Sequence, residues 1–290
     1  MEIKQPHNEH ELELAIVRRA GNSNAKAVRD RMVMANAIVG QLLGEGVAVK
    51  GGSSMLLRYG SENARFTEDF DTTRRIDLDV FLKGLRKRLE DGWCGFTGML
   101  DILPQASPRG VLFDYVMQPI RIRLSYRGKS WCSVNMEMTL GSAGCADSFD
   151  TIEPNEETVS IFRDLGFPSP GPVYVMKLDH QVAQKLRGAS CEGSDRAHDI
   201  VDLQLIFQRE ELYLPRVKKI CQQIFRGKRC PMWPPTIKKG EKWDSIYDEA
   251  KLDLPVLATV DEAVAWVNDL VAKIDRSEYG SRQTDSTPGD

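Results

Sequence analysis

Lys50-Gly51-Gly52-Ser53-Ser54, followed closely by Arg65-Phe66-Thr67-Glu68-Asp69-Phe70-Asp71, is the stretch on which the reading of this chain turns. Val47-Ala48-Val49 just before it reads as a short buried strand leading into a turn. Paired glycines let the backbone approach a bound group closely, and the N–H groups of the helix turn that follows present a positive end to an anion. Ser53 or Ser54 is placed to cap a helix over Met55 to Tyr59. If residues 69–71 are extended, Asp69 and Asp71 point to one face and can hold one or two Mg²⁺ ions that bridge phosphate oxygens. Strand, glycine-serine turn and Asp-x-Asp, in that order, are the parts that metal-dependent nucleotide transfer needs.

A second Asp-x-Asp, Asp77-Leu78-Asp79, competes with the first. Leu78, Phe81, Leu82, Leu85 and Leu89 form a helical stripe, so Asp77 reads as an N-cap and Asp79 as a first-turn acid. Residues i and i+2 of a helix diverge by about 200° and do not share a metal easily. Upstream, residues 9–20 and 24–43 read as helices. Downstream, Phe96 to Leu103 reads as a strand. Ile120, Ile122, Leu124 and Tyr126 alternate with polar residues, as do Cys132, Val134, Met136 and Met138, which predicts an antiparallel hairpin with one apolar face. Glu137 falls on its polar face, either as a third carboxylate of the site or as a solvent-facing residue.

The expected fold class is α+β: a mixed sheet flanked by helices over residues 1–150, a mostly helical half over 151–276, and a disordered polar tail over 277–290. The proline-rich stretch Pro154 to Pro172 marks the change, and Asp179 to Ala189 reads as a helix. Ser194 is expected to cap the next helix, and Thr259 with Glu262 to form a capping box before the last one. At 290 residues the chain can bury a full core. No apolar run is long enough to span a membrane, and the polar, acidic N-terminus is not a signal peptide. The six cysteines have no metal-ligand spacing and read as reduced thiols of a cytoplasmic protein. Net charge is −3, yet between Arg216 and Lys242 nine Lys and Arg stand against Glu241 alone. Such a run is either a solvated face or a footprint for nucleic acid, with Trp233 as a stacking surface.

Three stretches in order carry a family resemblance. They are Lys50 to Tyr59, Arg65 to Asp71, and Asp179-His180-Gln181-Val182-Ala183-Gln184-Lys185-Leu186 with Arg196-Ala197-His198-Asp199-Ile200-Val201-Asp202-Leu203. The chain resembles the AbiEii/AbiGii-type nucleotidyltransferases, toxin halves of toxin–antitoxin pairs within the polymerase-β-like superfamily, over about residues 30–210. The resemblance implies a nucleotidyltransferase fold. It implies that Lys50, Gly51, Gly52, Ser53, Ser54, Thr67 and Lys185 bind the donor NTP, and that Asp69 and Asp71 hold Mg²⁺, with Glu137 the candidate for a third carboxylate that no sharp motif fixes. It makes Asp69, Asp71, Lys185, Asp199 and Asp202 the catalytic set. On residue chemistry alone Lys185 is a solvated helix position and Asp199 an ion-pair partner of Arg196. His180 and His198 flank these motifs and fit capping and packing as well as proton transfer. The implied acceptor is RNA, such as the acceptor end of tRNA, and the implied partner an antitoxin. A small cationic acceptor of aminoglycoside type, or a non-catalytic nucleotide-binding regulator, stays open as an alternative.

Overall fold

The computed structural model describes residues 4–106, 116–141, 149–226 and 232–278. Its chain packs as two units. One comprises Met1–Gln181 with Ala250–Pro255, the other Val182–Glu249 with Val256–Asp290.

The first unit carries a seven-stranded mixed sheet in the order β3-β4-β5-β2-β1-β7-β6. The strands are β1 (Val47–Val49), β2 (Asp69–Arg74), β3 (Phe96–Ile102), β4 (Gln118–Tyr126), β5 (Lys129–Leu140), β6 (Phe149–Ile152) and β7 (Val173–Met176). β6, which straddles residue 150, and β7, which lies beyond it, complete the sheet. β1 is central and buried along its whole length, as its unbroken apolar run requires. It pairs antiparallel with β2 and parallel with β7. β2 pairs parallel with β5, and β5 antiparallel with β4, which confirms the predicted hairpin.

One sheet face is apolar. Phe70, Ile120, Ile122, Leu124, Val134, Met136 and Met138 all lie on it, buried. Helix α2 (Asn24–Leu43) packs on β5, β1 and β7, and α4 (Leu78–Asp91) packs on β3. Phe96 and Tyr126 stack at 4.7 Å, with Trp131 and Phe167 against Phe96 at 5.1 and 5.4 Å. A fully buried aromatic of this kind is worth about 1.5–3 kcal/mol relative to exposure. The Tyr126 hydroxyl donates to the Pro6 carbonyl at 2.7 Å, tying down the chain ahead of α1 (Glu9–Arg19). Asp77 caps α4 as expected, accepting from the Asp79 and Val80 amides at 2.8 and 3.2 Å. Helix α5 (Glu156–Asp164) was not expected; it lies inside the proline-rich stretch.

The second unit is helical: most of α6 (Leu178–Ser190), then α7 (Ala197–Arg209), α8 (Leu214–Ile224), most of α9 (Trp243–Lys251) and α10 (Val260–Arg276). Its core joins Ile200, Leu203 and Ile206 of α7 to Val267, Leu270 and Ile274 of α10. The capping box of Thr259 and Glu262 is present. Ser194 does not cap α7. The N-cap position falls on Arg196, with no side-chain capping bond. Among the described residues no helix is long and apolar enough to cross a membrane. The polar tail lies outside the described residues from 279 onward.

The cysteines depart from the reading as uniformly reduced thiols. Cys191 is disulfide-bonded, while Cys94, Cys132 and Cys221 are free. Burial pushes the Cys132 thiol up to about 12, so it is inert at neutral pH.

Candidate active site

Helix α3 (Gly51–Tyr59) starts earlier than the sequence suggests, at Gly51 itself. Lys50 occupies the N-cap position and makes no side-chain capping bond. Ser53 and Ser54 are therefore first-turn residues of the helix and not its caps. Both are fully buried. Their hydroxyls face inward: Ser53 Oγ donates to the Asp69 carbonyl at 2.6 Å, and Ser54 Oγ to Gln181 Oε1 at 2.7 Å. What this turn offers an anion is its backbone N–H groups, which no side chain caps.

Each glycine has a specific reason. Gly51 has φ +61, and a Cβ there would lie 2.3 Å from Asp71 Oδ2. The Asp71 carboxylate thus sits directly against the Gly51 α-carbon. A Cβ at Gly52 would meet the Thr67 Cβ at 3.0 Å and Arg65 Nη2 at 3.1 Å. The Lys50 amide closes the unit by donating to the Asp71 carbonyl at 2.8 Å.

Gly51→Ala is accordingly expected to do two things. It strains a left-handed backbone position, at a cost of about 1–2 kcal/mol, and it drives the Asp71 carboxylate from its place. Gly128, at φ +79 with nothing within 4 Å of its Cβ position, is the control. Both alanine variants should lower the melting temperature, and only Gly51→Ala should lose NTP affinity. Equal affinities in the two would refute the steric account.

Asp69 and Asp71 lie two apart on β2, so they share a face. The parallel register sets Asp71 beside Glu137 and Asp69 beside Asn135. Three carboxylates thereby converge from two adjacent strands. Burial pushes the Glu137 carboxyl above its ordinary range. Asp71 and then Asp69 push it further, against the opposing charge of Lys50. Asp77 and Asp79 are exposed and take no part. They border a hollow of about 430 Å³ with Arg74, Arg75 and Gln118, and it shares no lining residue with the Gly51–Asp71 site.

Sequence reasoning missed Gln181. It is 2% exposed, on α6. Its Oε1 accepts from Ser54 and its Nε2 donates to the Gly51 carbonyl at 3.2 Å, so both ends of one amide hold the turn. The only available signal was a glutamine on the apolar side of a helix. Gln181→Leu leaves a buried hydroxyl and carbonyl without their partner, at about 1–3 kcal/mol. A raised KM for NTP with the KM for the acceptor unchanged is the expected result. Unchanged NTP kinetics would limit Gln181 to a structural role.

In the helical unit Lys185 is neither solvated nor a surface residue; it is 4% exposed. Its Nζ lies 3.0 Å from Asp199 Oδ1 and 2.6 Å from Asp202 Oδ2, both carboxylates being fully buried. Arg196 Nε closes on Asp199 Oδ2 at 2.6 Å, as the i, i+3 spacing implies. Burial alone would raise the Asp199 carboxyl, but Lys185 and then Arg196 carry it well below the usual carboxylate range. His198 Nε2 stands 3.9 Å from Asp199 Oδ1. His180 is buried, its amide bonded to the Asp179 carboxylate at 2.8 Å.

The basic run of the helical unit is less free than its composition suggests. Lys218 bonds the Asp275 carbonyl, Lys239 pairs with Asp244 and Asp261 at 2.8 and 3.1 Å, and Lys242 pairs with Asp195 at 3.2 Å. Trp233 is half-buried and held at two points. Its Nε1 donates to Asp275 Oδ1 at 2.8 Å and its ring packs edge-on against Phe225 at 5.4 Å. Lys228 and Arg229 lie outside the described residues.

A glycine turn at a helix start, set against carboxylates on the neighbouring strand of a mixed sheet, defines a nucleotidyltransferase-type fold. MenT4, a nucleotidyltransferase toxin from Mycobacterium tuberculosis H37Rv, superposes with a TM-score of 0.51 over 90% of this chain and 97% of its own, at 14% identity. A candidate nucleotidyltransferase from H. pylori covers 87% of this chain and 95% of its own at 15% identity, with a TM-score of 0.45. No curated protein matches the sequence. The family model of the nucleotidyl transferase AbiEii toxin, type IV toxin–antitoxin system, matches residues 33–270, and the chain belongs to that family. The match takes in every residue from Lys50 to Asp202 discussed above.

Proposed function

We propose that this protein transfers a nucleoside monophosphate from an NTP, with Mg²⁺, to an RNA acceptor such as the acceptor end of tRNA, and that a cognate antitoxin restrains it. The observation that carries this reading is the convergence of Asp69, Asp71 and Glu137 beside the Gly51 turn. Like charges gathered on one face are costly, and a cation among them removes the cost.

The donor set suits Mg²⁺. All its groups are hard carboxylate oxygens, and the Glu137 carboxyl is raised first by burial and then by the like charges of Asp71 and Asp69. Among the described residues no three His, Cys, Asp or Glu side chains close into a metal cage. Mg²⁺ does not require one, since it keeps waters and completes its shell with substrate phosphates. Asp69, Asp71 and Glu137 would hold it, and when bound it would neutralise charge on the phosphates. The backbone N–H groups of the Gly51–Ser54 turn bind the triphosphate, Lys50 adds a positive charge beside the carboxylates, and Thr67 packs against Gly52 to fix the turn. An acceptor hydroxyl oxygen attacks the α-phosphorus and gives up its proton to solvent. The bond from that phosphorus to the β-bridging oxygen breaks, and pyrophosphate leaves with the electron pair. Lys185, Asp199 and Asp202 enter the proposal as one charge unit, the two carboxylates orienting the ammonium.

The test is to offer each α-labelled NTP with Mg²⁺ and tRNA, and to follow label in RNA and pyrophosphate release. Label in RNA, lost on chelation, is the expected result. Label on an added aminoglycoside and none on RNA would favour the small-molecule alternative. NTP binding by calorimetry with no transfer to either acceptor would favour the regulator.

A further inference from the structure

We infer that the open sheet face beside the carboxylates is where a nucleic-acid acceptor lays its sugar-phosphate backbone, with Arg121 and Arg123 as its phosphate contacts; this rests on the transfer reaction proposed above and names the surface that selects its acceptor.

The argument is one of register. Asp69 on β2 faces Asn135 on β5, Asn135 faces Arg121 on β4, and Arg121 faces Asp101 on β3. The row above runs from Asp71 to Glu137 to Pro119, and the row below from Ser133 to Arg123 to Met99. Directly paired residues project from the same face of a sheet, and so do residues two apart on one strand. Arg121 and Arg123 therefore share a face with all three carboxylates. With neighbouring strands about 5 Å apart, the Arg121 backbone lies about 10 Å from that of Asp69. The opposite face is the apolar one that α2 and α4 cover, whereas Asp69, Arg121, Arg123, Ser133 and Asn135 are all exposed.

The chemistry of this face is graded. Carboxylates occupy β2 and the near end of β5. Asn135 and Ser133, neutral hydrogen-bonding groups, come next, and the two arginines follow on β4. Arg121 bonds Asn135 Oδ1 at 3.3 Å and forms no ion pair among the described residues. Arg123 pairs with Asp101 at 2.9 Å, with both side chains about half exposed. An exposed pair of this kind is worth about 0–1 kcal/mol and can yield to a phosphate. Arg, Asn and Ser are side chains that contact phosphate and sugar. A polyanion can lie across β4 and β5 with only its terminal hydroxyl among the carboxylates. A polycationic small acceptor would meet the arginines as like charges. The basic run of the helical unit, by contrast, is partly tied to carboxylates of its own.

The experiment measures binding of fluorescein-labelled tRNA by anisotropy across a KCl series, without NTP, for the wild type, Arg121→Ala/Arg123→Ala, and the exposed-charge control Lys87→Ala. The double variant should bind more weakly at low salt. Its plot of log K against log salt should be flatter by about 1.4–1.8, two phosphate contacts' worth, while the control matches the wild type. Its NTP affinity should be unchanged. A double variant with the wild-type slope and affinity overturns the inference, as does a wild type that does not bind tRNA. RNA binding that follows this pattern without any label transfer would defeat the proposed reaction and leave the surface standing. Label transfer to tRNA with an unaltered acceptor KM in the double variant would do the reverse.

Discussion

Asp71→Asn is expected to abolish label transfer while leaving the protein as stable as before, or slightly more stable. The two effects have one cause. Asp71 stands beside Glu137 in register and is the first like charge that holds the Glu137 carboxyl up. Removing it relieves a repulsion in the free protein and withdraws a charge that a bound cation needs. Loss of one such electrostatic contribution commonly costs about 10²–10³-fold in kcat, and Asp69→Asn should behave alike because Asp69 is exposed. Thermal melts and initial rates measured on the same preparations decide the matter. Asp71→Asn with wild-type rates would remove the carboxylates from the reaction. A large fall in melting temperature would show that Asp71 is needed for the fold instead.

Lys185→Ala should unfold the helical unit at a much lower temperature. The ammonium lies between two carboxylates that are completely buried, and deleting one partner of such a cluster costs about 3–5 kcal/mol out of a total of about 5–15. Lys185→Met combined with Asp199→Asn and Asp202→Asn removes the three buried charges, leaves only the half-exposed Arg196 charged, and should recover most of the loss, since uncharged replacements of buried ion clusters are often near neutral. If the cluster also serves transfer, the triple variant will be stable and inactive. A stable and active triple variant would confine all three residues to folding. The cluster also predicts an acid response. The Asp199 carboxyl is depressed in the folded state, so its contribution is fully present above the ordinary aspartate value of about 4 and is lost as pH falls from there toward the depressed one. Asp199→Asn should flatten the fall in melting temperature below about pH 4.

The local features of the fold were the legible ones. β1 follows from an unbroken apolar triplet, the β4–β5 hairpin from alternation, and the Asp77 cap from the stripe behind it. The start of α3 was misplaced because a glycine with positive φ usually closes a helix, whereas Gly51 opens one in order to let Asp71 approach. Helix α5 was hidden by flanking prolines, although Asn155 caps it by accepting from the Thr158 amide at 2.9 Å. In the site, alternation placed Glu137 on a polar face, but only the pairing of β2 with β5, some sixty residues apart in sequence, makes it a neighbour of Asp71. The burial of Lys185 was not legible at all. A lysine in an amphipathic helix reads as solvated, and its partners lie 14 and 17 residues on, beyond the reach of helical spacing.

The inward-facing serines of the α3 turn bear on how such an enzyme can diversify. Gly51 and Gly52 have no side chain, and the hydroxyls of Ser53 and Ser54 are spent on Asp69 and Gln181. On the proposed function, a turn built this way would grip phosphates through the main chain and be indifferent to which nucleobase they carry. Preference among ATP, GTP, CTP and UTP must then be written elsewhere in the chain. Substitutions that retune it can accumulate without touching the residues that grip the triphosphate, so two descendants of one ancestor can share this turn atom for atom and still spend different nucleotides.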